Sequence, residues 1–255
     1  MPIIENGSVK IYYEEAGSGF PLLVLPGGGL NSTIAGLKTH AFNPLEEFSD
    51  TYRVIALDLR NANTGQTVGP LEVERTWDGL VDDQLALLKH LGIDRFLVMG
   101  FCIAGPMIWN LLKHVGDRVV AATLVHPSGF TSSHPNIYVK NALENWAPEF
   151  LKQHPDVTPA MVDQFLDTMY TQRADFVFTV DRDFVRGCQT PVLVLPDDIP
   201  AHPYSVAMET ALLAPNAQVS LYPWKENDRK IELAVRHIRS FLAINAPAAK
   251  RAAAE

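Results

Sequence analysis

The chain has 255 residues, 47% of them hydrophobic and 20% charged, with a formal net charge of −8. That balance suits one sizeable globular domain, and its acidity argues against nucleic acid or an anionic membrane as main partner, because both recruit basic surface. No apolar run nears the ~18 residues that span a bilayer. The opening "MPIIENGSVK" has no basic start followed by an apolar stretch, so no secretory signal is expected. Cys102 and Cys188 lie far apart in unlike surroundings and read more simply as free thiols of a cytoplasmic protein than as a disulfide.

In chain order, "VKIYYEEAG" alternates as a half-buried strand does. "PLLVLPGGG" and "YRVIALDLR" follow as short, almost unbroken apolar runs, which suit strands buried on both faces of a parallel sheet. "TWDGLVDDQLALLKHLG" then has helical spacing and ends in glycine, "RFLVMGFC" is a third buried run, and "IAGPMIWNLLKHVG" a second helix. After the run "VVAATLVHP" the alternation breaks. "IYVKNALENWAPEFLKQ" and "TPAMVDQFLDTMYTQRADFVF" are both helical in period, and Thr158 before Pro159 is a good helix start. Trp146, Phe150, Met161, Phe165, Met169 and Tyr170 give this insertion an apolar face, which packs on the main domain or covers a ligand pocket. "TPVLVLPDD", "QVSLYPW" and "RKIELAVRHIRSFLAI" close the series as strand, strand and helix, and the tail "APAAKRAAAE" is expected to be disordered. The reading is an α/β core over 1–129 and 188–245, a helical lid over 130–187 and a tail over 246–255.

Gly100-Phe101-Cys102-Ile103-Ala104-Gly105 falls where a buried strand turns into a helix. It resembles the nucleophile elbow of the α/β-hydrolase family, usually Gly-x-Ser-x-Gly, with cysteine for serine and Ala104 for the second glycine. Small neighbours leave room for a strained backbone, and the start of a helix favours a thiolate. The resemblance covers nearly the whole chain and implies an α/β-hydrolase fold: a mostly parallel twisted sheet flanked by helices. "LPGGGLNS" then corresponds to the loop that helps form an oxyanion hole, so an N–H of Gly28 or Gly29 is expected to pair with that of Ile103. "ALDLRNANTGQT" matches a loop in which Asp58, Arg60, Asn61 and Asn63 mainly order the backbone, with Asn61 or Asn63 reaching substrate as the alternative.

A thiol nucleophile normally has a base oriented by a carboxylate. In the family that base is a histidine after the last strand, but "LYPWKENDRK" has none, and Lys225 or Glu226 falls near its place. The acid loop after "PVLVL" offers Asp198, with Asp197 as fallback, and carries His202 four residues beyond Asp198. His202 is therefore the chosen base and Asp198 the acid. His126, at the end of "ATLVHP", and His40 are weaker candidates, and a site with no base stays open. His126 and Trp146 are expected to touch substrate. The resulting expectation is a hydrolase that attacks a small apolar or aromatic ester, lactone or thioester through Cys102. A cofactor-free lyase of the same fold and a binding protein without turnover are the alternatives. No metal or cofactor is implied, and the expected partner is a small-molecule substrate, with a homodimer left open.

Overall fold

All six residues of Phe96–Phe101 are buried, as expected of a strand covered on both faces at the centre of a sheet. The structure, a computed structural model, describes residues 2–247. Its strands are β1 (Ile3–Asn6), β2 (Val9–Ala16), β3 (Phe20–Leu25), β4 (Tyr52–Leu57), β5 (Phe96–Phe101), β6 (Val119–Val125), β7 (Val192–Leu195) and β8 (Ala217–Val219). They form one sheet in the order β1-β2-β4-β3-β5-β6-β7-β8. β2 pairs antiparallel with β1 and β4, and every later pair is parallel.

Successive side chains alternate between the two faces. Leu23, Leu25, Ile55, Leu57, Phe96 and Val98 join the core beneath α2 (Thr76–His90) and α3 (Ala104–Val115). On the opposite face, Leu22, Val24, Val54, Ala56, Leu97 and Met99 pack with Phe48, just after the short α1 (Pro44–Glu47), and with Ile238 and Phe241 of the C-terminal helix. This is the α/β-hydrolase architecture the elbow motif implied.

Between β6 and β7 the chain makes α4 (Ile137–Asn145), α5 (Ala147–Gln153), α6 (Pro159–Leu166), a π-helical turn over Asp167–Thr171, and α7 (Arg182–Gly187). The Thr158 side chain caps α6 by accepting from the Met161 N–H. Buried polar ties help hold the insertion over the sheet: Trp77 Nε1 donates to Met169 O at 2.9 Å, Trp146 Nε1 to Asn61 O at 2.9 Å, and Thr179 Oγ1 to Pro106 O at 2.9 Å. The chain ends with α8 (Tyr204–Leu213) between β7 and β8, then α9 (Asp228–Asn245).

Two strands differ from the sequence reading, and α1, α7 and α8 are additional to it. β1 is an additional edge strand, turned back onto β2 through Gly7 at φ 60°. β8 is confined to Ala217–Val219, so only Gln218 and Val219 of the expected strand "QVSLYPW" fall in it. The expected tail lies, from residue 248 onward, outside the described residues. Among the described residues, no helix is long and apolar enough to cross a membrane.

Candidate active site

Cys102 stands between β5 and α3 with a φ of 55°, the left-handed region that side chains seldom occupy. The surrounding hydrogen bonds hold it there. Its N–H donates to Val125 O at 3.1 Å, and its carbonyl accepts from the N–H groups of Gly105 and Ser128, each at 3.0 Å. The turn tolerates almost nothing at residue 100, where an added Cβ would sit 2.5 Å from Ala104 Cβ and 2.9 Å from Ile108 Cδ1. Backbone strain of this kind persists only where its surroundings over-determine it.

Beside the turn runs the loop after β3. Gly28 and Gly29 have φ of 135° and 60°, so the backbone itself faces the sulfur without intervening side chains. Ser128 Oγ lies 3.4 Å from the Cys102 sulfur, and the nearby Gly29 backbone N–H helps lower the thiol. Above Cys102 is a cavity of about 380 Å³. Gly28, Gly29 and Ile103 form its floor with Cys102, while Tyr138, Asn141, Ala142, Asn145, Trp146 and Tyr170 of the helical insertion form its roof.

The acid loop folds back on itself. Ile199 and His202 form a bridge in which His202 N–H donates to Ile199 O at 2.9 Å, and Pro200 and Ala201 make the turn. His202 is thereby returned beside the strand end, where its Nδ1 lies 3.0 Å from Asp197 Oδ2. A carboxylate only accepts, so Nδ1 carries the hydrogen. The acid expectation therefore needs correction from Asp198 to Asp197. Asp197 is buried at the end of β7, whereas Asp198 is exposed on an outer depression beside His134 and Tyr204, and only its backbone N–H supports the Asp197 carboxylate. Lys225 Nζ reaches the same Asp197 oxygen at 2.6 Å.

These contacts set the protonation states. Burial pushes the Cys102 thiol up, but the hydrogen bond and charge of His202, then Ser128 and the Gly29 N–H, bring it down to about 7. Burial pulls His202 down, and the bonds to Asp197 and to the Cys102 sulfur outweigh it, raising the imidazole to about 9. Asp197 is pushed up by burial and held far below the usual carboxylate range by His202 and Lys225. Between the two values the thiol and the imidazole form an ion pair over a permanently ionised carboxylate.

The remaining expected residues separate. Trp146 lines the cavity, with its ring stacked on Phe150 at 4.4 Å. His126 does not line it, a correction to its expected substrate contact. It sits at the end of β6 with φ 38° and only 6% exposure, its ring 4.5 Å from that of His202 and 6.0 Å from that of His40. Burial, then the charges of His202 and Lys225, hold His126 well below the usual imidazole range, so it stays neutral. Asn61 and Asn63 order their loop: Asn61 Oδ1 accepts from Gly69 N at 3.1 Å, and Asn63 N–H donates to Asn31 Oδ1 at 3.1 Å. Sequence reasoning passed over Ser128, whose signal was its place two residues beyond His126 at a catalytic-edge strand end. It noted Lys225 without giving it a role.

The α/β hydrolase fold model matches residues 21–224. The chain is 27% identical over 164 residues to epoxide hydrolase 4 from Homo sapiens, covering 58% of this chain and 42% of that protein. It is 31% identical over 127 residues to 2-hydroxy-6-oxo-6-phenylhexa-2,4-dienoate hydrolase from Comamonas testosteroni, covering 49% of this chain and 42% of that one. The chain thus spans less than half the length of these curated relatives. Among solved structures, a meta-cleavage product hydrolase from Pseudomonas fluorescens superposes with a TM-score of 0.70 at 17% identity over 96% of this chain and 98% of that one. Naproxen esterase from Bacillus subtilis gives 0.67 at 18% identity over 94% and 90%. At these identities the likeness is one of fold.

Proposed function

The chain belongs to the α/β-hydrolase fold family, and from that premise we propose that it is a hydrolase of small, uncharged carbonyl compounds (esters, lactones or thioesters) acting through Cys102. One observation carries the reading: Cys102 stands at a left-handed strand-to-helix turn, opens onto a cavity, and has its thiol lowered to about 7 by an imidazole backed by the Asp197 carboxylate. The substrate class follows from the walls. Leu30, Ile103, Ala142, Trp146 and Tyr170 are apolar or aromatic, Asn31, Asn141, Asn145 and Ser128 are polar and neutral, and no lining side chain other than the thiol carries a charge. A space of about 380 Å³ suits a small ligand.

In the first half-reaction the Cys102 thiolate attacks the carbonyl carbon, and the oxyanion is received by the N–H groups of Ile103 and of Gly28 or Gly29. The imidazolium of His202 gives its proton to the departing oxygen or sulfur as the carbonyl re-forms, leaving an acyl-thioester on Cys102. In the second, neutral His202 takes a proton from water, the hydroxyl adds to the thioester carbon, and the C–S bond breaks to return the thiolate and release the acid. Asp197 holds Nδ1–H and so presents Nε2 to the reaction. The helices over 130–187 act as the lid that excludes bulk water.

The test is the pH dependence of Cys102 alkylation by iodoacetamide in the wild type, His202→Ala and His126→Ala. The proposal expects a wild-type midpoint near 7, a rise toward or beyond the ordinary thiol value of 9.0 in His202→Ala, and little change in His126→Ala. A midpoint that moves only in the His126 variant would assign the base to His126 instead.

A further inference from the structure

We propose that Lys225 is a positioning residue that lets the second half-reaction run at neutral pH, by drawing part of the Asp197 charge away from His202. The inference rests on the reading of Cys102 as an acylated nucleophile. Its observation is that one oxygen, Asp197 Oδ2, takes both His202 Nδ1 at 3.0 Å and Lys225 Nζ at 2.6 Å. Lys225 comes from the loop between β8 and α9, the loop in which the family's histidine is missing here.

The need for it lies in the two protonation states the imidazole must adopt. Acylation uses imidazolium, which the thiolate and Asp197 together stabilise. Once Cys102 is acylated the thiolate charge is gone, but a buried carboxylate with a single partner would still favour imidazolium, and imidazolium cannot take a proton from water. A second cation on the same carboxylate oxygen opposes that, because the two positive groups repel across a short, partly buried distance. The other groups facing His202 do little to replace it. Cys102 is neutral as a thioester, and His126, its ring 4.5 Å from that of His202 and tilted to it with His40 behind, is held neutral by burial. Asp198 contributes only its backbone N–H, and Tyr138, whose hydroxyl donates to Gly129 O at 2.8 Å or Ala201 O at 3.0 Å, is kept protonated by burial.

Lys225→Gln removes the cation, and Lys225→Arg keeps it. With p-nitrophenyl acetate, stopped-flow measurement separates the acylation burst from steady turnover, and the mass of the quenched protein reports the acyl-enzyme. The expected result is a burst rate within about twofold of wild type for both variants. For Lys225→Gln alone, deacylation at pH 7 falls by about tenfold, equivalent to roughly one unit in the His202 pKa. The deficit closes as the pH rises, and the acyl-enzyme accumulates. Equal deacylation rates and pH midpoints in all three proteins would overturn the role of Lys225. Wild-type protein that shows neither a burst nor an acyl adduct would overturn the Cys102 reading itself. If Lys225→Gln fails to fold, the His202 imidazole midpoint followed by NMR in Cys102→Ala, and in Cys102→Ala with Lys225→Ala, carries the same comparison. A higher midpoint in the protein without the lysine supports the proposal. Equal midpoints contradict it.

Discussion

Cys102 and Cys188 make an internal control for the residue-level account. Both are free and half-buried, but Cys188 follows α7 at the entry to β7, away from the site, and Cys102 sits at the strained turn against Ser128 and the Gly29 N–H. Cys102→Ala should lower ester turnover by about 10³-fold or more and keep the native circular dichroism spectrum, whereas Cys188→Ala should leave kcat/KM within about twofold. The pH dependence follows with its sign. On the proposed mechanism, below about 7 the thiol takes a proton and the nucleophile is lost; above about 9 His202 loses the proton it would give to the leaving group. Acylation should therefore trace a bell with limbs near those values, read from the pH dependence of the burst rate. Because Asp197, not Asp198, holds Nδ1–H, Asp197→Asn should depress that burst strongly and Asp198→Asn should hardly change it, both measured at pH 8.

At the scale of elements, the strand-to-helix turn is the least forgiving piece of the fold. Gly100→Ala places a methyl group within 2.5 Å of Ala104 Cβ, so either β5 or α3 must shift. That substitution should cost about 1–3 kcal/mol in urea unfolding, as overpacking of a tight core usually does, and should cut turnover more than stability because the same shift moves Cys102. The turn was legible in the sequence for the reason that makes it fragile: only small residues fit at 100 and 104, and small residues between a buried run and an amphipathic helix stand out. The parallel strands were legible because burial on both faces leaves unbroken apolar runs. The choice between Asp197 and Asp198 was not. Two adjacent carboxylates leave a strand end in opposite directions, and which one turns inward depends on the Ile199–His202 bridge, a pairing with no signal in composition. β1 was missed because its four residues show little alternation, with only Ile4 buried. The Lys225 contact to the carboxylate that His202 also uses joins Asp197 and Lys225, 28 positions apart on two loops, and a single sequence carries no trace of it.

For the whole molecule, the cavity exists because the insertion between β6 and β7 spans the C-terminal edge of the sheet, where the ends of β3, β5, β6 and β7 place Gly29, Cys102, His126 and Asp197. Trp146 joins roof to floor by lining the space while its Nε1 holds Asn61 O at 2.9 Å. Trp146→Ala should thus lower stability by about 3–5 kcal/mol and raise KM for aromatic esters more than it lowers kcat, as measured by thermal unfolding and by saturation kinetics on p-nitrophenyl benzoate. The central claim is that the sheet edge and the insertion together make Cys102 an acyl acceptor. It is tested most directly by mixing the protein with p-nitrophenyl acetate, quenching in acid within the burst and mapping the adduct by peptide mass spectrometry. The account predicts one acetyl group, on the peptide carrying Cys102, that vanishes as turnover proceeds. An acetyl group on another residue, or turnover with an unmodified Cys102 at every time point, would contradict it.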